Sequence, residues 1–540
     1  MFGLMQDYPL LVHTILDHAA VNHGERELVT RSIEGPIRRC TLADIRNRSL
    51  RVAKALKNEG IGLGDRVATM AWNSDRHVET WYGIMGIGAI CHTVNPRLFA
   101  EQLVYIFNHA EDRVLFVDTT FVPVVEAIAA QLKSVEKFII LTDEAHMPKT
   151  SLPGAVAYES WLAHVDDDFI WSKFDENTAA ALCYTSGTTG NPKGVLYSHR
   201  SNVIHSLMVN QPDAFGLTSM DVVLPIVPMF HANAWALTYA APAAGACLVM
   251  PGAGMDGASI YQLLDSEKVT ITAAVPTIWL GLLNYLEETG KQLPYLERMV
   301  IGGAAVPRMM FEKFENNYDV RVYQGWGMTE TSPVGTIGRL KHANHHLQGA
   351  ERFDVKVKAG RSLYLAELKI VDDEGNDLPR DGETFGHLMI KGPAVSKAYF
   401  KHDSEILDDN GWFDTGDIAT IDEMGYMAIT DRDKDLIKSG GEWISSIEIE
   451  NAAVAHDGVA EAAVIGLAHP KWSERPLLVI VKQTGVNLEK EDILGFLVGK
   501  IAKWWMPDDV VFVDEIPHTA TGKILKTKLR EQFSDFQFPD

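Results

Sequence analysis

Short apolar runs alternate along this chain with longer stretches in which apolar residues recur every three or four positions. The runs "RVATMAW" (66–72), "RVLFVD" (113–118), "KFIILTD" (137–143), "VTITAAV" (269–275) and "RMVIGG" (298–303) predict buried strands. Between them, "TIWLGLLNYLEE" (277–288) predicts an amphipathic helix with Ile278, Leu282 and Leu286 on one stripe, and Pro276 suits its first turn. The most apolar stretch, 234–255, is broken by Pro242, Gly245, Pro251 and Gly252 and has no flanking charges. It predicts a buried helix, a turn and a buried strand, and no membrane span. Such alternation predicts an α/β fold: a large N-terminal domain of layered, mostly parallel sheets, which bind ligands at the carboxyl ends of their strands.

The pattern changes twice. After about residue 355, turn signals in "DDEGND" and "KGP" separate strand-like runs, so a small β-rich part is expected over 355–433. The stretch "TDRDKDLIKSGGEWIS" (430–445) is charged and then glycine-rich, and reads as a linker or hinge. Beyond it, 435–540 has the pattern of a small α+β domain.

Composition narrows the class. A chain of 540 residues is too long for one core, and 46% hydrophobic with 22% charged residues is globular. A net charge of −23 argues against nucleic acid as a partner and leaves any anionic substrate to a local basic pocket. Cys40, Cys91, Cys183 and Cys247 form no C-x-x-C pair and read as buried, reduced thiols. The N-terminus lacks a basic stretch, and Asp7, His13 and Asp17 interrupt its apolar residues, so no signal peptide is expected and the location is cytoplasmic.

Candidate chemistry starts at "TSGTTGNPKG" (185–194), a loop of hydroxyls, glycines and one lysine placed after the predicted strand 180–184 and before an amphipathic segment from about Ser198. Glycines let backbone N–H groups approach a phosphate, hydroxyls donate and lysine supplies charge. A Walker A loop is excluded, because Lys193 precedes Gly194 with no Ser or Thr after it. A surface turn with a solvated lysine is the plain alternative. "GGAAVP" (302–307) either brings backbone close to a ligand or is only a tight strand–helix turn. "HANHH" (342–346) hints at metal but lacks partner ligands and reads as a polar loop.

"YTSGTTGNPKG" resembles the signature of the adenylate-forming superfamily, and four further motifs follow in that family's order: "QGWGMTETSP" (324–333), "GWFDTGDIATID" (411–422), "DRDKDLIKSGGEWIS" (431–445) and "PHTATGKILKTKLR" (517–530). The resemblance implies that a carboxylate reacts with ATP to give acyl-AMP and pyrophosphate, and that CoA then takes the acyl group. It implies that Thr185, Ser186, Gly187, Thr188, Thr189 and Lys193 wrap the phosphates, and that Thr329 and Glu330 hold Mg2+. Gly302, Gly303, Ala304, Ala305, Gly325, Trp326, Gly327 and Met328 would border the adenine, with Trp326, where many relatives have Tyr, stacking on it. Asp417 and Arg432 would contact the ribose, and Ile429 would belong to the same nucleotide site. Lys523 would place its ammonium between carboxylate and α-phosphate. Lys434 matches the hinge that rotates the C-terminal domain. Lys438, Ser439, Gly440, Gly441, Glu442 and Trp443 would then form the CoA loop.

For the acyl pocket the resemblance implies His231, Trp235, Pro276, Gly302, Gly327 and Pro333. His231 is either a substrate-orienting group or a core histidine, and Trp235 either gates the pocket or fills a buried helix. The whole chain looks most like short- and medium-chain acyl-CoA ligases of the methylmercaptopropionate-CoA ligase type, with a homodimer expected. A medium-chain fatty acyl-CoA synthetase is the alternative. A peptide-synthetase module, a luciferase-like oxidase and a non-catalytic nucleotide-binding regulator are further rivals. Lys523, Glu330 and Asp417 together argue against the last of these.

Overall fold

The computed structural model describes residues 1, 3–185, 191–439, 442–519 and 524–538, leaving aside the side chains of 442 and 443. Two large sheets carry the fold. One has seven strands in the spatial order 156–157, 137–140, 114–117, 66–70, 90–93, 179–184 and 194–198. All its pairings are parallel except the last, where Gly194–Ser198 returns antiparallel to Ala179–Tyr184. The polar loop therefore tips an edge hairpin. The strand Gly194–Ser198 follows the loop, and the segment expected from about Ser198 is the helix His199–Val209.

The other sheet has nine strands in the order 361–362, 334–337, 321–327, 298–302, 271–274, 222–225, 247–250, 27–31 and 37–41. Its interior is parallel and both edges are antiparallel. One core cluster joins Val67, Cys91 and Ala181 of the seven-stranded sheet to Val223, Leu248 and Val300 of the nine-stranded sheet through Trp81, Tyr82 and Tyr239 on helices between them. Two further cores cover the outer faces. The central helix Asp75–Gly86 is buried at every position despite its polar sequence. Its charges are paired, as in Arg76–Glu34 (2.6 Å) and Arg48–Glu79 (2.7 Å), which burial requires.

Several details differ from the pattern reading. The helix Pro276–Thr289 buries Trp279, Leu282, Leu283 and Leu286, while Ile278 is only partly buried. The large indole draws the buried stripe to its own side. The strand Arg361–Ser362 still belongs to the nine-stranded sheet, and the four-stranded antiparallel sheet begins at Glu367. That sheet runs 367–371, 385–391, 413–421 and 427–432. The expected linker 430–445 is mostly strand: only Asp433–Leu436 separates Met427–Arg432 from Ile437–Ser439, the first strand of a separate five-stranded sheet. All four cysteines are free, and Cys40 is half-buried while the other three are buried. Among the described residues no helix is long and apolar enough to cross a membrane.

Candidate active site

The candidate residues collect where strands of both large sheets end. At the neck of the polar loop, Thr185 N–H donates to Lys193 O (2.9 Å) and Lys193 N–H donates to Thr185 Oγ1 (3.1 Å). Ser186, Gly187, Thr188 and Thr189 lie outside the described residues. Lys193 is exposed, and its Nζ stands 4.8 Å from the ring centre of Tyr399. The Tyr399 hydroxyl donates to Glu330 Oε1 (2.7 Å). Burial and the Glu330 charge raise the phenol's pKa, so it remains a donor. Glu330 is buried, its carbonyl accepts Ser396 N–H (2.8 Å), and Tyr197 donates to Thr329 O (2.6 Å). The cation of the loop and the carboxylate expected to hold metal thus share one tyrosine. Sequence reading missed Tyr399, which stands alone in "KAYFKH" with no periodicity to mark it. Thr329 and Glu330 offer hard oxygens of the kind Mg2+ takes, one or two from protein with the rest from phosphates and water. Among the described residues no group of three or more His, Cys, Asp or Glu side chains could hold a metal alone, "HANHH" included.

The second cluster joins two sheets. Asp417 is 3% exposed and lies opposite Arg432 in register. Arg432 Nε pairs with Asp417 Oδ1 at 2.7 Å, and the Trp326 indole N–H donates to Asp417 Oδ2 at 2.8 Å. Ile429, half-buried, sits on the same strand opposite Ala419.

The third cluster gathers residues expected to line the acyl pocket. Gly302 pairs with Gly325 across neighbouring strands, and a Cβ on Gly302 would stand 2.7 Å from Gly325 O and 3.0 Å from the Trp235 ring. Gly303, at φ +84°, has Val275 and then Trp235 as nearest neighbours, which brings the Pro276 helix start to the same place. Ala304 is exposed and Ala305 half-buried in the turn that follows. A Cβ on Gly327 would lie 1.8 Å from Pro333 O, and Met328 N–H donates to that oxygen (3.2 Å). Trp235 does not sit in an ordinary helix. Residues Ala232–Ala236, just after His231, form a left-handed turn with φ from +40° to +64°. Left-handed backbone costs roughly 1–2 kcal/mol per non-glycine residue. The turn is fully buried, and Asn233 Nδ2 donates to Asn202 Oδ1 (3.1 Å).

Beyond the exposed turn that carries Lys434, a buried cluster fastens the five-stranded sheet's unit to the last strand before it. Asp431 Oδ2 accepts Ser446 N–H (2.8 Å) and Ser446 Oγ–H (2.5 Å), while Lys526 binds Ser446 Oγ and pairs with Glu450 Oε1 (2.7 Å). Burial raises the pKa of both carboxyls, and although it pulls the Lys526 ammonium down, Glu450 and Asp431 raise it overall. Lys438 N–H donates to Glu474 Oε2 (3.0 Å), and Ser439 accepts from Arg475 (3.2 Å). Gly440, Gly441 and Lys523, and the side chains of Glu442 and Trp443, lie outside the described residues. The helix Lys526–Gln532 starts just after Lys523, and Lys528 Nζ stands 5.6 Å from the Phe99 ring centre of the large unit.

A family model described as AMP-binding enzyme matches residues 16–400, and one described as AMP-binding enzyme C-terminal domain matches 448–523. The chain belongs to the AMP-binding enzymes. It is 50% identical over 536 residues (99% of each chain) to the 3-methylmercaptopropionyl-CoA ligase of Ruegeria lacuscaerulensis. It is 45% identical over 535 residues (99% of this chain, 98% of the other) to the medium-chain-fatty-acid–CoA ligase of Ectopseudomonas oleovorans. ATP-bound MatB from Rhodopseudomonas palustris superposes with a TM-score of 0.82 at 26% identity, over 98% of this chain and 99% of that one. The protein is an AMP-forming acyl-CoA ligase, an acid–thiol ligase that takes ATP, CoA and a carboxylate.

Proposed function

We propose that this ligase activates a short or medium-chain carboxylate, foremost 3-methylmercaptopropionate, as its adenylate and passes it to CoA. The observation that carries the site assignment is the Trp326–Asp417–Arg432 cluster, a buried carboxylate to which the described residues leave a lone pair on each oxygen for a ribose diol. Attack of a carboxylate on a phosphate brings two anions together, and at 4 Å their repulsion is about 4 kcal/mol for an effective dielectric of 20, roughly a thousandfold in rate. Lys193 at the loop and the ammonium of Lys523 offset it, and Thr329 and Glu330 would hold a Mg2+ that adds to the positive charge. When bound, Mg2+ neutralises phosphate charge. Glu330 is kept in place for it by Tyr399.

The unit 435–540 rotates about Lys434 between the half-reactions, exchanging Lys523 for the 438–443 loop. Trp235, packed over Gly302 and Gly303, supports a shallow pocket and so a short acyl chain. Exposed Leu4, Met5 and Tyr8 support a homodimer, which sedimentation tests. The substrate test is CoA-dependent AMP release with 3-methylmercaptopropionate, butyrate and octanoate. The highest kcat/KM on the first supports the reading. The highest on octanoate replaces it with a medium-chain fatty acid ligase, the reading that the Ectopseudomonas relative favours.

A further inference from the structure

The geometry assigns Trp326 a role beyond an adenine shelf: it is the positioning residue that orients the Asp417 carboxylate toward the two ribose hydroxyls. This rests on the reading above, in which Asp417 binds ribose. A carboxylate has about four lone-pair sites. Arg432 Nε occupies one on Oδ1 at 2.7 Å and the Trp326 N–H one on Oδ2 at 2.8 Å. Among the described residues one site remains on each oxygen, matched to the two O–H groups of a vicinal diol. The match holds only while the carboxylate stays at one torsion, and a clamp on one oxygen alone leaves that torsion free. Arg432 comes from the neighbouring strand of the same sheet, whereas Trp326 reaches across from the nine-stranded sheet.

The indole is itself held at both ends. Its N–H end is on Asp417. Its benzo edge lies over Gly335, where a Cβ would approach the ring to 2.9 Å. The strand shifts register between Trp326 and Gly327, which turns the ring toward the antiparallel sheet. Asp417 is further steadied by its own N–H, which donates to Thr415 Oγ1 (3.1 Å), and Thr415 in turn donates to Leu388 O (2.8 Å).

The test is adenylation, followed by pyrophosphate exchange, with ATP, 2′-deoxyATP, 3′-deoxyATP and inosine triphosphate. Trp326→Phe keeps an aromatic face and removes the N–H donor together with the second ring of the indole. The expected result is a loss of about tenfold in the preference for ATP over a deoxy analogue, the size of one hydrogen bond to a charged group, with the preference over inosine triphosphate unchanged. Gly335→Ala, which keeps the indole but displaces it, moves the same ratio in the same direction, and so covers poor folding of the first variant. Asp417→Asn separates the two levels of the argument. If it leaves the deoxy ratio at the wild-type value, the ribose assignment falls and the Trp326 role with it. If it removes the preference while Trp326→Phe and Gly335→Ala keep it, only the Trp326 role is overturned. Equal losses against deoxy and inosine analogues in Trp326→Phe would also overturn it, since they describe a stacking ring alone.

Discussion

Replacing Lys526 by Met removes an ammonium from the buried junction while nearly preserving its shape. Lys526 lies 2.7 Å from Glu450 Oε1 and also binds the Ser446 hydroxyl that donates to Asp431. Breaking a buried pair by removing one partner typically costs about 3–5 kcal/mol. Here the cost falls at the low end, about 3 kcal/mol. Glu450 keeps the Val464 N–H at 2.7 Å, and Asp431 keeps Ser446 N–H at 2.8 Å. The assay is hydrogen exchange of the amides in Ser446–Val454 and Val459–His469 at pH 7.5. Where exchange proceeds through opening of this unit, 3 kcal/mol is a loss in protection on the order of a hundredfold.

The pH dependence follows from the carboxyls. Burial raises both above their ordinary values. Their folded form therefore binds protons more readily than the unfolded chain, and this contribution to stability is full below the ordinary carboxyl pKa near 4 and is lost as pH rises through the raised values. Without Lys526 the raised values climb further, so the variant's deficit against wild type is largest at pH 7.5 and shrinks by pH 5. Unchanged protection at pH 7.5 would refute the electrostatic argument, as would a deficit of equal size at both pH values.

Three other expectations can be checked directly. Lys523→Ala abolishes pyrophosphate exchange but spares thioester formation from supplied acyl-AMP; equal loss of both removes Lys523 from the first step. Lys434→Pro, by locking φ in the turn between two sheets, leaves pyrophosphate exchange near wild type and lowers thioester yield. Tyr399→Phe takes the 2.7 Å hydrogen bond from Glu330 and weakens Mg2+–ATP binding by about tenfold or more in calorimetry, while binding of metal-free ATP changes little.

The strands that deliver the site were legible because buried parallel strands read as continuous apolar runs: 137–140 and 298–302 fall inside the segments marked from sequence. The polar loop stood out for the opposite reason, as a dense run of hydroxyls and glycines. What stayed hidden depends on distant partners. Asp417 and Arg432 carry no local sign that they face each other on neighbouring strands, and nothing near Trp326 in the sequence points to a carboxylate 91 residues on, in the four-stranded sheet. The left-handed turn at Ala232–Ala236 contradicts local preference, since only Asn233 favours that conformation. Helix Asp75–Gly86 looks like a surface helix because its buried charges find their partners elsewhere, at Arg48 and Glu34.

The place of strand Glu27–Arg31 bears on how the molecule is made. It lies between Ile37–Thr41 and Cys247–Met250, so it leaves the ribosome well before its parallel neighbour, which follows more than two hundred residues downstream. Until that neighbour is synthesised the early hairpin presents an open apolar edge, the kind of intermediate that recruits chaperones or clumps. Pairings so far apart in sequence are also slow to form. Recovery of active enzyme after dilution from denaturant should therefore depend steeply on protein concentration, with losses starting at this end of the nine-stranded sheet.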